Sequence, residues 1–214
     1  MVVVAVGTND GELQRFSVHR DIICQYSAYF RAACTGEFVE AKSGKFKLLE
    51  HRAEIFDLFL QWLYSQNLQQ VLANVELPSW TTLIELYVLA DTLLVLTLKN
   101  AIMDRLLCKA HVALRQLRCR ERFPSNADIS LAYENTPPTS PMTKFLSELF
   151  ALLRDFTIEK DEVPKDYLYD LALGLRLRLD GSSGLPPLMK EPCRYHEHDS
   201  AEKSKCTRPI YCLG

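Results

Sequence analysis

The chain has 214 residues, of which 48% are hydrophobic and 24% are charged, and its formal net charge is −2 at pH 7. This is the composition of a globular protein with a substantial core, arranged as one ordinary domain with extensions or as two small domains. A net charge near zero provides no broad positive field, so we expect no nucleic-acid partner. The local basic run at residues 109–122 is interpreted as a solvated helix face.

Neither a membrane span nor a signal peptide is predicted. The chain has no run of about 18 apolar residues, the length that a membrane-spanning helix requires. The N-terminal segment MVVVAVGTNDG has no basic region before its short apolar stretch. Four of the seven cysteines lie in helix-like segments and are expected to be buried, reduced thiols: Cys24, Cys34, Cys108 and Cys119. Reduced thiols are typical of the cytoplasm and the nucleus, so we expect one or both of these compartments.

A β-hairpin is predicted at the N-terminus. Val2–Val6 is rich in β-branched residues, and residues 13–18 alternate between apolar and polar side chains. The GTNDG segment between them, residues 7–11, contains residues that tolerate a positive φ, as hairpin turns require. A third strand is predicted at residues 45–49, after the turn-like Ser43-Gly44 pair.

Two short helices are predicted between the hairpin and the third strand. Residues 21–25 form the first helix, and residues 27–34 form the second. Ser27 carries a side chain suited to cap the second helix at its N-terminus. Gly36 then breaks this helix.

The helix with the clearest pattern is Ala53–Ser65. Its polar side chains recur every three or four residues and form one narrow stripe: Glu54, Asp57, Gln61 and Ser65. The rest of the circumference is apolar, so most of the helix surface must be buried. We therefore place this helix at the centre of the core, with Trp62 inside it.

The remaining elements are predicted to be helical. Residues 66–78 are interpreted as a polar loop, and Ser79 is expected to cap the helix that follows. Pro164 suits the first turn of the last helix. The predicted helices are residues 79–94, 97–109, 112–118, 127–133, 143–155 and 164–177.

These elements predict an α+β fold with a three-stranded sheet, a flanking cluster of five or six helices, and extra C-terminal helices. The first domain is expected at residues 1–110, followed by a helical extension at residues 111–179. The GSSGLPP sequence after Asp180 predicts a linker, and residues 180–214 are expected to be this linker and a mobile, Cys/His-bearing tail.

The tail raises the question of a metal site. Zinc takes four nitrogen or sulfur ligands in a tetrahedron, and short spacings between ligands lower the entropic cost of closing the loops. The candidate ligands are Cys193, His196, His198, Cys206 and Cys212. Cys193-x2-His196 is an acceptable ligand pair, whereas the five residues between Cys206 and Cys212 exceed the usual spacing, and His198 can replace one member. Two other interpretations stay open, namely a disordered tail with incidental Cys and His, or redox-sensitive cysteine pairing.

No catalytic motif is found in the sequence. A Gly-rich phosphate loop, a Gly-x-Ser-x-Gly elbow and a His-Glu-x-x-His helix are all absent. His19 closes a strand and opens a helix, so we expect it to hydrogen-bond backbone groups at that junction. A Cys193–His196 thiolate pair would lack a third orienting group. We therefore expect no catalytic residue, no bound cofactor apart from the open question of zinc, and a protein that is not an enzyme.

Four motifs occur in an order and with gaps that resemble the BTB/POZ domain. They are Phe16-x-Val18-His19-Arg20, Ser27-x-Tyr29-Phe30, Gly36-Glu37-Phe38-x-Glu40 and Leu86-Tyr87-x-Leu89-Ala90-Asp91. The resemblance covers residues 1–110, and the chain looks most like the small stand-alone BTB proteins that are common in fungi. It implies a scaffold or adaptor that binds protein partners and has no catalytic chemistry of its own.

The resemblance also implies a particular partner. Many BTB/POZ proteins bridge a cullin scaffold to a substrate for ubiquitin transfer, and cullin-binding members carry a hydrophobic-x-Glu motif in the loop after the second short helix. Phe38-Val39-Glu40 matches this motif. Phe38 would fill a pocket of the partner while Glu40 makes a polar contact. In the alternative interpretation, Phe38 packs on its own domain and Glu40 is solvated.

The resemblance also bears on self-association and on two alternative roles. Dimeric family members exchange an N-terminal helix and strand that precede the hairpin, whereas this sequence begins in the hairpin. We therefore expect a monomer or a weak homo-oligomer, and an exposed edge strand at Val2–Val6. The alternative functions are a transcription- or chromatin-associated BTB protein and a diverged chain with a purely structural role.

Overall fold

The structure, a computed structural model, contains two compact units, Met1–Lys99 (unit 1) and Asn100–Gly214 (unit 2). The residues that it describes are 1–7, 12–36, 39–73, 78–115, 123–153, 163–179, 192–198 and 206. Within these ranges, ten α-helices and a three-stranded mixed sheet form the predicted α+β fold, which is thereby confirmed. None of the helices in the same ranges is long and apolar enough to cross a membrane.

The sheet of unit 1 is built around its first strand. Its strands are β1 (Val2–Val6), β2 (Gln14–Val18) and β3 (Lys45–Leu48). Val4 of β1 lies opposite Phe16 in the antiparallel β1–β2 pair and opposite Phe46 in the parallel β1–β3 pair. The three predicted strands are confirmed, but the expectation of an exposed edge at β1 is wrong, because β1 has a hydrogen-bonded neighbour on each side.

Three short helices lie between β2 and β3: α1 (Arg20–Tyr26), α2 (Ala28–Thr35) and α3 (Val39–Ser43). Ser27 caps α2 as predicted, since its Oγ accepts a hydrogen bond from the N–H of Phe30 at 3.1 Å. The same hydroxyl donates to the carbonyl of Leu93 at 2.6 Å, and Ser27 is fully buried. Helix α3 is missing from the prediction, because five residues are too few to show a helical period.

Helix α4 (Ala53–Ser65) has the predicted bounds and forms the centre of the core of unit 1. Phe56 and Phe59 are 0% exposed and Trp62 is 3% exposed, whereas the four residues of the polar stripe are exposed. The rings of Phe59 and Trp62 stack with centroids 6.3 Å apart, and Phe56 contacts Phe16 at 5.1 Å. The predicted central position is confirmed by five buried side chains, whereas Tyr64, predicted on the apolar side, is 50% exposed.

The segment predicted as a polar loop, residues 66–78, contains a further helix, α5 (Leu68–Ala73). Three of its six residues are buried, which corrects the prediction: Leu68, Val71 and Leu72. Their i, i+3, i+4 spacing is that of a helix with one buried face. The glutamines and asparagines around them make the segment polar on average and so conceal this short pattern.

Helix α6 (Trp80–Thr92) begins at the predicted cap, since Ser79 accepts a backbone N–H of its first turn at 3.0 Å. Near the end of α6, Asp91 pairs with Lys99 at an N–O distance of 2.5 Å, and the Lys99 side chain is 8% exposed. The Lys99 ammonium also lies 5.3 Å from the centroid of the Tyr87 ring. This ion pair lies at the C-terminal end of unit 1.

Unit 2 is helical in its described part. Its elements are the portion of α7 (Leu96–Arg115) from Asn100 onward, α8 (Asn126–Asn135), α9 (Pro141–Leu152), α10 (Lys165–Leu179) and a 3₁₀ turn (Pro192–Tyr195). Two predicted helices, at residues 97–109 and 112–118, are continuous in α7 as far as Arg115. Helices α9 and α10 pack closely at Gly174. A Cβ atom added there would lie only 3.1 Å from the Cβ of Ala151. The buried core of this unit includes Ile129, Phe150 and Tyr167.

Candidate functional site

The first candidate site is the segment Phe38-Val39-Glu40, in which Phe38 lies outside the described residues. The sequence places this motif in a loop, whereas Val39 and Glu40 form the start of α3. Glu40 is exposed, and it makes no ion pair within the described residues. Its carboxylate is therefore accessible to a partner.

Hydrogen bonds on both sides of α3 hold it in place. Before it, the guanidinium of Arg20 donates to the carbonyl of Cys34 in the last turn of α2 at 2.6 Å. After it, the N–H of Gly44 donates to the carbonyl of Glu40 at 2.8 Å, and the carbonyl of Gly44 accepts from the N–H of Val3 at 2.8 Å. Gly44 has a φ of 64°, a left-handed conformation that glycine adopts without a Cβ clash. Helix α3 is thus attached directly to the central strand.

The second candidate site is formed by the C-terminal cysteines and histidines of unit 2. The ligand atoms of Cys193, His198 and Cys206 all lie within 4.8 Å of one another. The Sγ of Cys193 is 3.3 Å from Nε2 of His198, and Nδ1 of His196 is 3.3 Å from the Sγ of Cys206. The structure therefore brings three of the five predicted metal ligands into one cluster and places the fourth, His196, beside Cys206. The fifth, Cys212, lies outside the described residues.

Helices α7 and α9 hold residues 192–198, which were expected to be part of a mobile tail. Tyr195 is fully buried, and its hydroxyl donates to the carboxylate of Glu148. The side-chain amide of Asn100 donates to the carbonyl of Glu197 at 2.8 Å and accepts from its N–H at 3.0 Å. A buried ring and paired polar groups therefore hold this stretch against the helices of unit 2.

An acidic residue of α7 orients His196. The Nε2 atom of His196 is 2.9 Å from Oδ1 of Asp104, and the histidine side chain is 4% exposed. An ionised carboxylate only accepts hydrogen bonds, so Nε2 is the donor to Asp104, and the neutral ring with this tautomer directs the lone pair of Nδ1 toward Cys206. Burial raises the pKa of the Cys206 thiol to about 11, and the neighbouring Cys193 adds to the increase.

Sequence reasoning missed the residues that support this cluster. Asp104, Glu148 and Asn100 are separated from their tail partners by 92, 47 and 97 residues, respectively. Each is a single polar residue on a helix, so no local spacing connects it with the cysteines and histidines. Only the packing of the chain reveals these partners.

The other cysteines partly match their predicted state. Cys24 and Cys34 are free thiols, and Cys34 is buried. Burial and the hydrogen bond with Cys34 raise the pKa of the Cys24 thiol to about 11. Cys108 is disulfide-bonded, so the expectation of a reduced thiol is wrong there, since a helical pattern carries no information about a partner sulfur. Cys119 lies outside the described residues.

The predicted role of His19 is also corrected. Its Nδ1 lies 2.9 Å from the hydroxyl of Tyr64, so the ring bonds a side chain and not the backbone.

Elsewhere in unit 1, Arg52 and Glu54 line a surface depression and pair at 3.4 Å. Their side chains are 56% and 73% exposed, so these charges are solvated and lack the apolar surroundings that tune catalytic groups.

The fold of unit 1 agrees with a family of protein–protein interaction modules. Residues 2–109 match the BTB/POZ domain family. The chain belongs to this family, and the resemblance found in the sequence is confirmed. No curated protein matches the chain.

Proposed function

We propose that this protein is a non-enzymatic adaptor that links a substrate to a cullin-type ubiquitin ligase. The family membership supports an interaction role, because BTB/POZ domains bind other proteins. The observation that carries the more specific proposal is the exposed carboxylate of Glu40 on the anchored helix α3, within a Phe-x-Glu motif.

The contact is assigned to an aromatic anchor and an adjacent acidic group. Phe38 enters an apolar pocket of the cullin, and Glu40 accepts hydrogen bonds at the rim of that pocket. Because Gly44 and Arg20 already hold the segments on both sides of the motif, Glu40 loses little freedom when the partner binds. A preorganised carboxylate of this kind makes a larger net contribution than one on a mobile loop.

A pull-down with the cullin that binds BTB adaptors tests the proposal. The test variant combines Phe38→Ala with Glu40→Ala. The control combines Tyr169→Ala with Glu134→Ala, which removes an aromatic ring that is 67% exposed and an exposed glutamate, both in unit 2. Loss of two central contacts at about 1–2 kcal/mol each weakens binding roughly 30-fold or more. Equal recovery of the wild type and the test variant contradicts the assignment.

We also infer that the adaptor is a monomer or only weakly self-associating. Both edges of β1 are occupied by β2 and β3, so β1 presents no free backbone edge to a second copy. Light scattering after size exclusion is expected to give the chain mass of 24.5 kDa at micromolar concentration. A stable species of twice that mass contradicts the inference.

The compartment that we propose is the cytoplasm or the nucleus. Free thiols at Cys24, Cys34, Cys193 and Cys206 support a reducing environment, and Cys108 is the exception. Imaging of the tagged protein tests this location, and a secreted or lumenal distribution would contradict it.

A further inference from the structure

We propose that unit 2 binds one structural zinc ion through Cys193, His196, His198 and Cys206. Two thiols and two imidazoles converge there, with S–N distances of 3.3 Å for Cys193–His198 and 3.3 Å for Cys206–His196. Three of the four ligand atoms lie within 4.8 Å of one another. The site is independent of the cullin proposal, since its ligands lie in unit 2 and the motif lies in unit 1.

Two of the ligand-to-ligand distances are close to those of a tetrahedral site. With Zn–S bonds of about 2.3 Å and Zn–N bonds of about 2.0–2.1 Å, neighbouring sulfur and nitrogen ligands are separated by about 3.5 Å. The two S–N contacts are shorter than this by only a few tenths of an ångström. Each of these two pairs therefore needs only a small change in separation to hold a metal ion between its ligands.

Asp104 indicates which nitrogen atom of His196 would coordinate the zinc ion. It accepts a hydrogen bond from Nε2 of His196 at 2.9 Å, so Nδ1 is the atom that coordinates the metal. A carboxylate that holds the second nitrogen of a ligating histidine is a recurring support of zinc sites, because it sets the tautomer and raises the basicity of the ring. A histidine that was incidental to the tail would not need such a partner.

Anchoring residues alternate with ligands along the segment. Between Cys193 and His198, the guanidinium of Arg194 donates to Glu148 at 2.5 Å. Tyr195 donates to the same carboxylate, and Glu197 is held by Asn100. The ligand side chains are thus presented on a segment that is already fixed. Only seven residues separate His198 from Cys206, which keeps the entropic cost of bringing in the last ligand small.

The ligand set favours zinc over other metals. Magnesium and calcium prefer oxygen ligands, whereas two thiolates with two imidazoles form one of the common structural zinc sets. Four protein ligands complete the tetrahedron and leave no open position for a reacting water. The proposed role is therefore to hold the C-terminal segment on the helices of unit 2, which agrees with a protein that acts by binding.

The test is elemental analysis of the full-length chain, expressed with zinc and purified under reducing conditions. We expect one zinc per chain in the wild type and loss of zinc in Cys193→Ser and in Cys206→Ser. Cys212→Ser is the matched control and is expected to keep its zinc, since four other ligands complete the site. Asp104→Asn is expected to weaken zinc affinity about 10- to 100-fold while the metal still binds, as a positioning residue should.

Cobalt(II) substitution of the wild type keeps the test decisive if a serine variant fails to fold. Thiolate-to-cobalt charge-transfer absorption together with tetrahedral ligand-field bands is expected. A wild-type protein without metal overturns the proposal, whether its thiols are free or Cys193 and Cys206 form a disulfide. Retention of zinc by both serine variants, loss of zinc from Cys212→Ser, or a stoichiometric metal other than zinc also overturns it.

Discussion

Replacing Ser27 with alanine tests how unit 1 is held together at a single buried hydroxyl. The Oγ atom accepts from the N–H of Phe30 at 3.1 Å, which caps α2, and donates to the carbonyl of Leu93 at 2.6 Å, which joins α2 to the end of α6. Because Ser27 is 0% exposed, water cannot replace either bond after the substitution.

The expected cost follows from these two bonds. Loss of the cap destabilises by about 1 kcal/mol. The carbonyl of Leu93 keeps a weaker contact with the N–H of Tyr29 at 3.4 Å, so its loss of Oγ costs about 1–2 kcal/mol, below the full penalty for an unpaired buried group. Ser27→Ala is therefore expected to cost about 2–3 kcal/mol. Ser79→Ala removes an exposed cap and an exposed hydrogen bond to the Thr82 hydroxyl, which water can replace, and is expected to cost about 1 kcal/mol.

Urea unfolding followed by tryptophan fluorescence measures both variants. The chain has two tryptophans, Trp62 and Trp80, and both are buried in unit 1, so the signal reports on the unit that contains both serines. With an m-value of about 2 kcal/mol/M, the midpoint should fall by about 1–1.5 M in Ser27→Ala and by about 0.5 M in Ser79→Ala.

The comparison of the two variants decides the outcome. Equal midpoints for Ser27→Ala and Ser79→Ala, at unchanged m-values, would refute the reasoning. They would show that the carbonyl of Leu93 contributes nothing beyond the cap, despite its burial and the short hydrogen bond.

Three further substitutions or reactions have expected outcomes. Tyr133→Phe removes the hydroxyl that donates to Asp170 at 3.0 Å, so calorimetry should show a loss of about 1–3 kcal/mol. Tyr167→Phe should instead leave stability unchanged or raise it by about 1 kcal/mol, because that buried hydroxyl has no hydrogen-bond partner in the described residues. Equal losses of stability in Tyr133→Phe and Tyr167→Phe would contradict both expectations. Burial raises the pKa of Cys24 from 9.0 to about 11, so its iodoacetamide labelling near pH 8 should be about a hundredfold slower than that of an unperturbed thiol. Labelling at the unperturbed rate, followed by mass spectrometry, would contradict this expectation.

Elements with a long regular pattern could be predicted from the sequence. Helix α4 has the predicted bounds because its polar stripe repeats over 13 residues. Ser27 and Ser79 mark helix starts through chemistry that lies within three residues of the cap. Helices α3 and α5, with five and six residues, are too short for such a pattern to stand out.

Relations between distant segments could not be predicted in the same way. The hairpin signal pairs β1 with β2 but carries no information about β3, so the central position of β1 is visible only in the fold. At the candidate metal site, too, the sequence reveals nearby residues but not their distant partners. Its ligand residues are evident from their spacing, whereas Asp104, which selects the coordinating nitrogen of His196, lies 92 residues earlier in the chain.

The anchors of residues 192–198 determine how much of unit 2 should depend on zinc. The bonds from Arg194 and Tyr195 to Glu148, and from Glu197 to Asn100, use no ligand atom, so they persist without metal. Zinc fingers, in contrast, unfold when the metal is removed. We therefore expect a chelator to increase amide hydrogen exchange only slightly within residues 192–198, while the N–H of Glu197 and the amides of α9 stay protected. Loss of protection throughout α9 would show that the metal supports the helical core itself, because anchoring of the tail alone could not produce that change.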